Sequence, residues 1–218
     1  MRNAILPTLV AVLTLAGCSR EFPETPLTSE EAIQHNKLAA QNDHDSRVEQ
    51  GRLAFMHNHI DEAEALLQQA VKEEPQDMEA KAWLAANDCK IAGRAGPWLM
   101  GFDKLYGVWA CQNDLKSAVE AAPDNFTVLM IQLATDAEVD MFGSMARAIE
   151  TRDSLLKKIE TKPNAYPPSA KEAFFKAAIR IGELQNDPAS IHDYSQRVLS
   201  LNIDKGSMQK AKESIQSR

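Results

Sequence analysis

Apolar positions along this 218-residue chain recur at helical intervals, and the alternating β-branched runs that would mark strands are missing. Thr28-Ser29-Glu30-Glu31 opens the first predicted helix as a capping box, with a hydroxyl at the cap and a carboxylate three residues on. Further helices are predicted over Met78 to about Ile91, Phe126 to Val139, Met145 to Ile159, Ser169 to Leu184 and Pro188 to Leu201. Trp83, Leu84 and Asn87 share one side of the first of these, and Leu155, Leu156 and Ile159 are the apolar positions of the third. Gln185-Asn186-Asp187-Pro188 reads as a turn. Lys205 to Gln216 predicts a polar terminal helix, as needed to cover a stack whose last face would otherwise stand open. Ala, Leu, Lys, Glu and Gln are abundant, and all are good helix formers. The expected fold class is all-α.

Internal similarity sharpens this expectation. From Arg47 to Asp77, Gly51, Ala63, Ala70 and Pro75 are separated by twelve, seven and five residues. Small residues at the first two positions let two antiparallel helices approach closely, and Ala70 leaves room for the next helix. Pro75 ends the second helix, because it lacks an N–H and restricts the residue before it. Ile60 and Leu67 supply bulk between them. The pattern resembles the tetratricopeptide signature, a helix–turn–helix unit of about 34 residues. Two positions depart from it: Arg47 replaces a large apolar residue, and Ala54 stands where an aromatic is common. Pro123 and Pro163 close two further units, and Ala118 precedes Pro123 as Ala70 precedes Pro75. Pro75 and Pro123 are 48 residues apart, so the second unit carries an insertion. In the fourth pair Ile203 occupies the place of the proline. The resemblance spans about residues 44–204 and implies hairpins stacked as a short solenoid.

The first residues read as an address. Arg2 precedes a short apolar run, which ends in Leu15-Ala16-Gly17-Cys18. The run is shorter than the roughly 20 apolar residues that span a bilayer. It resembles the bacterial lipobox, which implies a signal peptide over 1–17, removed before a lipidated Cys18. Residues 18–27, with two prolines and no periodicity, would be a tether, and 28–218 the helical domain. Ser19 is not the Asp that favours inner-membrane retention in enterobacterial lipoproteins, so the expected address is the outer membrane, facing the periplasm. The formal charge of −7 argues against a nucleic-acid partner and against electrostatic attachment to anionic lipid. Attachment would rest on the lipid of Cys18.

The insertion holds Gly93-Arg94-Ala95-Gly96-Pro97 and then a predicted short helix, Pro97–Trp109. Trp98, Phe102, Leu105, Tyr106 and Trp109 recur along it at helical spacing. Such a stripe either packs into the core or forms a binding surface. The expectation is that Trp98, Phe102, Leu105 and Trp109 face the body and Tyr106 the rim, at the edge of a groove that also uses Trp83 and Asn87. Trp109→Ala would then cost stability and Tyr106→Ala binding. A second helix is expected to open at Cys111. Cys89 and Cys111 are left either to bridge, in an oxidising compartment, or to stay as two buried thiols.

No reaction centre is legible. His44 lies beside Asp43 and Asp45, and His57 and His59 read as surface residues of a tight turn, so no metal site is expected. Asp136, Glu138 and Asp140 read as solvated charge at a helix end. Nucleophile elbows, phosphate loops and dinucleotide fingerprints are missing, so neither an enzyme nor a cofactor is expected. The expected role is a scaffold that holds a peptide or protein of a cell-envelope assembly in its groove. The alternative is a small-ligand receptor or transporter accessory with a closed apolar pocket.

Overall fold

The Thr28 hydroxyl accepts the Glu31 amide at 3.2 Å, and the Glu31 carboxylate accepts the Thr28 amide at 2.9 Å, so both arms of the capping box are made. The helix they start is α1, Ser29–Gln41, in a computed structural model that describes residues 20–96, 101–139, 141–203 and 205–216. Residues 1–19, where the signal peptide and the lipidated Cys18 were expected, and Pro97, Trp98 and Asp140 lie outside the described residues. Nine further helices follow among the described residues: α2 (His44–Met56), α3 (Ile60–Glu73), α4 (Met78–Arg94), α5 (Phe102–Ala121), α6 (Phe126–Val139), α7 (Ser144–Thr161), α8 (Pro168–Gln185), α9 (Pro188–Leu201) and α10 (Lys205–Gln216). A 3₁₀ turn, Pro163–Ala165, follows α7, and no strand occurs among the described residues. The fold is all-helical.

The helices pack as successive pairs, α2 with α3, α4 with α5, α6 with α7, α8 with α9. The first members also touch one another in sequence, α2 to α4 to α6 to α8. The second members touch their own partners and the first helix of the next pair, but not each other, among the described residues. An inner row and an outer row result. Small residues make the pairs close. A Cβ on Gly51 would stand 2.6 Å from Leu67 Cγ, and Ala63 and Ala70 are completely buried. Leu133, Leu155, Phe174, Ile181 and Ile191 fill the larger core, between α6 and α9. Ser207 and Ala211 bury against it or near it, so α10 covers the end of the stack through α9.

Arg47, which stands where the tetratricopeptide pattern expects a large apolar residue, is itself buried. Its guanidinium pairs with Glu73 and donates to Asn42 Oδ1 at 2.8 Å, while its alkyl stem supplies bulk. Asp136 is not solvated as its sequence context implied. It is 1% exposed and bound by Arg147 through both carboxylate oxygens, at 2.8 and 3.2 Å. It lies on the side of α6 that meets α7, and burial follows from that register.

The second pair differs from expectation in two ways. There is no separate insertion helix ending at Trp109, because nothing between Trp109 and Cys111 breaks a helix. One 20-residue helix runs from Phe102 to Ala121, and it begins at Gly101, where φ is +84°. The aromatic residues also face outward. Gly107 is the close-approach residue, where an added Cβ would meet Ala92 Cβ at 2.9 Å. Pointing Gly107 at α4 fixes the rotation of α5. Val108, Cys111, Leu115 and Ala118 then turn inward, and Phe102, Leu105, Tyr106 and Trp109 remain 63, 42, 69 and 50% exposed. Trp109→Ala should therefore cost little stability. Cys89 and Cys111 are joined by a disulfide with Cα atoms 5.4 Å apart, which ties α4 to α5.

Candidate functional site

The inner row presents one face of α2, α4 and α6, which carries two cavities in succession and forms a groove. Glu49 and Arg52, then Glu79 and Trp83, then Thr127 line its first part, a cavity of about 780 Å³ where these helices begin. Phe55 and Trp83, with ring centroids 5.3 Å apart, form a waist. Beyond it, Ala86 and Lys90, three and seven residues after Trp83, share a second cavity of about 560 Å³ with Phe55, Ala134 and Thr135. The first part is polar and open. The second is mostly apolar.

Residues 20–27 have no regular structure, but they do not behave as a free tether. The Arg20 amide donates to Gly93 O at 3.0 Å and the Thr25 amide to His57 O at 3.0 Å. The Arg20 guanidinium pairs with Glu138 at 2.6 Å, and Asn58 Nδ2 donates to Pro23 O at 2.9 Å. Phe22 comes within 3.2 Å of a Cβ built on Gly93 and walls the apolar cavity. A side chain at position 93 would displace it. His57 and His59, expected at an exposed turn, are covered by this segment. Thr25 Oγ1 lies 3.1 Å from His57 Nδ1, and His59 Nε2 lies 3.1 Å from Thr25 O.

Lys90 is one of four charged residues that line the apolar cavity, with Arg20, Lys104 and Glu138. Its ammonium donates to Phe55 O at 2.6 Å and Asn58 Oδ1 at 2.8 Å, and it stands 3.7 Å from the Phe55 ring centroid. Burial, and then the charge of Arg20, pushes its pKa down to about 8. At the other end of the groove, His44 Nε2 meets Asp77 Oδ2 at 2.8 Å, and the same aspartate caps α4. Burial opposes charging of His44, but Asp77 and Glu74 overcome it and raise its pKa. These groups are paired with protein partners, an arrangement that shapes and holds a groove. Among the described residues no group of three His, Cys, Asp or Glu could hold a metal ion.

The residues named from sequence are divided by the structure. Trp83 lines the groove. Asn87 does not, because it is fully buried, with Nδ2 donating to Ile60 O at 3.0 Å. It pins α4 to the start of α3. Phe102, Tyr106 and Trp109 line none of the groove's cavities, and α5 reaches the apolar one through Lys104 and Val108 instead. Sequence reasoning missed Phe22, Phe55 and Lys90. Phe55 and Lys90 carried a signal, being one helical turn beyond Arg52 and two beyond Trp83, but Phe22 sits in a stretch without periodicity.

Comparison with family models, with curated proteins and with solved structures finds no match for this chain. The site must be read from its own geometry.

A third cavity, of about 500 Å³, lies on another side of α4, beside Asp88 and Asp114. Burial, then Glu64 and Asp114, raises the Asp88 pKa to about 6. The folded chain therefore binds more protons than the unfolded one between the ordinary carboxylate value and about 6. Stability is lost as pH rises through that window. Asp88→Asn should stabilise the protein at neutral pH by roughly 1 kcal/mol, after allowance for solvent screening. The gain should vanish below about pH 4. Urea denaturation at the two pH values measures it, and an equal gain at both would show that charge is not the cause.

Proposed function

We propose that the chain is an exported, lipid-anchored scaffold of tetratricopeptide-like hairpins, which holds a peptide or protein of a cell-envelope assembly in the groove of α2, α4 and α6. Gly51, Ala63 and Ala70 at the close contacts, with the inner row of first helices, support the repeat reading. The Arg2–Cys18 pattern supports export and lipidation, and the Cys89–Cys111 bridge fits an oxidising compartment. The observation that carries the function is the change of character along one groove. An extended segment can lie in the polar trough by Glu49 and Glu79 and place an apolar side chain beside Phe55 and Ala134.

The apolar cavity also favours a second reading, a receptor for a small apolar ligand, since its size falls in the range of such sites. Ala134 is exposed at the cavity, so Ala134→Arg should fill it without unfolding α6. Crosslinking capture from intact envelope should recover a protein partner with the parent chain and lose most of it with Ala134→Arg. Equal recovery with both would remove the groove reading. Native mass spectrometry separates the two readings, because a receptor would carry a non-protein ligand that the variant lacks.

A further inference from the structure

The exposed aromatic stripe on α5 has a neighbour that identifies what covers it. Phe102, Leu105, Tyr106 and Trp109 occupy the first two turns of α5, over roughly 10 Å of helix axis. Tyr106 and Trp109 are stacked obliquely, with centroids 5.8 Å apart. Gly107, within this stretch, crosses α4 at Ala92, and Lys104 Nζ donates to Gly93 O at 3.0 Å. The Arg20 amide donates to the same Gly93 carbonyl. Cys18 is two residues before Arg20 in the chain, so a lipid on Cys18 would be attached within a short reach of Arg20. Arg20, two residues after the proposed point of lipid attachment, is thus held at the tip of the α4–α5 pair, on the carbonyl that Lys104 also reaches.

Further along the same face of α5 the side chains become polar. Asn113, Ser117 and Glu120 follow Tyr106 and Trp109 at helical spacing, and all three are exposed. Aromatic residues at the tip and polar ones beyond it match the gradient from membrane interface to water, where Trp and Tyr sit at headgroup depth. Asp103 flanks the stripe and is exposed, consistent with interfacial contact rather than deep burial. No helix among the described residues is long and apolar enough to cross a membrane.

We infer that the Phe102–Trp109 face of α5 lies in the interface of the bilayer that carries the Cys18 lipid, as a second point of membrane contact that sets the orientation of the groove. The inference rests on the lipid-anchor reading. One acyl-type anchor leaves a protein free to swivel, and an apolar interfacial contact beside it restricts that motion. The groove then opens beside the membrane. The contact depends on apolar area and not on charge, since the chain is acidic overall.

The test uses the full chain, purified from envelope and reconstituted in zwitterionic phosphatidylcholine vesicles. A nitroxide is attached at Tyr106→Cys or at Ser117→Cys, about 16 Å further along the same helix face. Intact mass first establishes whether Cys18 carries lipid. With the lipid present, label 106 should collide with oxygen and be shielded from an aqueous nickel chelate, while label 117 should show the reverse. Both patterns should persist at high salt. A water-exposed label 106 on a lipidated chain overturns this inference and leaves the anchor reading standing. A label 106 shielded from both reagents means that protein covers the stripe, and also overturns it. An unmodified Cys18 in a soluble chain overturns both.

Discussion

Arg147→Met is expected to lower stability by roughly 3–5 kcal/mol, the usual cost of leaving one partner of a buried ion pair alone. Asp136 is 1% exposed and depends on Arg147 for contacts to both its oxygens. Burial already pushes the Asp136 pKa up, and the Arg147 guanidinium works against that push. Arg147 also donates to Phe142 O at 3.0 Å, which fixes the turn between α6 and α7. Adding Asp136→Leu should return much of the loss, because the carboxylate is then gone and the space is filled by apolar volume. Urea denaturation of both variants measures this. A double variant no more stable than Arg147→Met would mean that the turn contact, not the buried charge, carries the effect.

A similar loss is expected at the first hairpin. Leu67 is fully buried against Gly51, so Leu67→Ala should cost about 2–5 kcal/mol. Gly51→Ala places its Cβ 2.6 Å from Leu67 Cγ, and that side chain is fully buried. The overpacking should cost about 1–3 kcal/mol, offset by about 1 kcal/mol of helix propensity. Combined, the two changes relieve each other, since the methyl added at position 51 enters the space that the Leu67 side chain leaves. The double variant should be more stable than the sum of the single losses implies, by about 0.5–3 kcal/mol. Strict additivity would contradict direct packing of α2 on α3 at this point.

These two sites differ in how legible they were. Gly51, Ala63, Ala70 and Pro75 announce a hairpin because close approach admits only small residues, and a helix end favours proline. The same logic located every helix from α6 to α10 to within about two residues. Asp136 could not be read in this way. Its charge marks a surface position, and only the partner eleven residues later, on another helix, makes burial tolerable. The aromatic stripe of α5 failed for a related reason. Spacing showed that the residues share a face, but which way the face points is decided by Gly107 meeting Ala92. A contact between helices is not written in the period of either one. Phe22 was beyond reach, since its segment is ordered by hydrogen bonds to Gly93, His57 and Asn58 and by none of its own.

The groove is what joins the fold to the proposed role. The most direct test is to place a photo-crosslinking amino acid at single positions of the chain in living cells. Ala134 and Glu49 represent the two ends of the groove, and Glu150, on α7, represents the outer row. Defined protein adducts are expected from positions 134 and 49, and none from position 150. Adducts from 150 alone, or equally from all three, would contradict a groove that holds a partner.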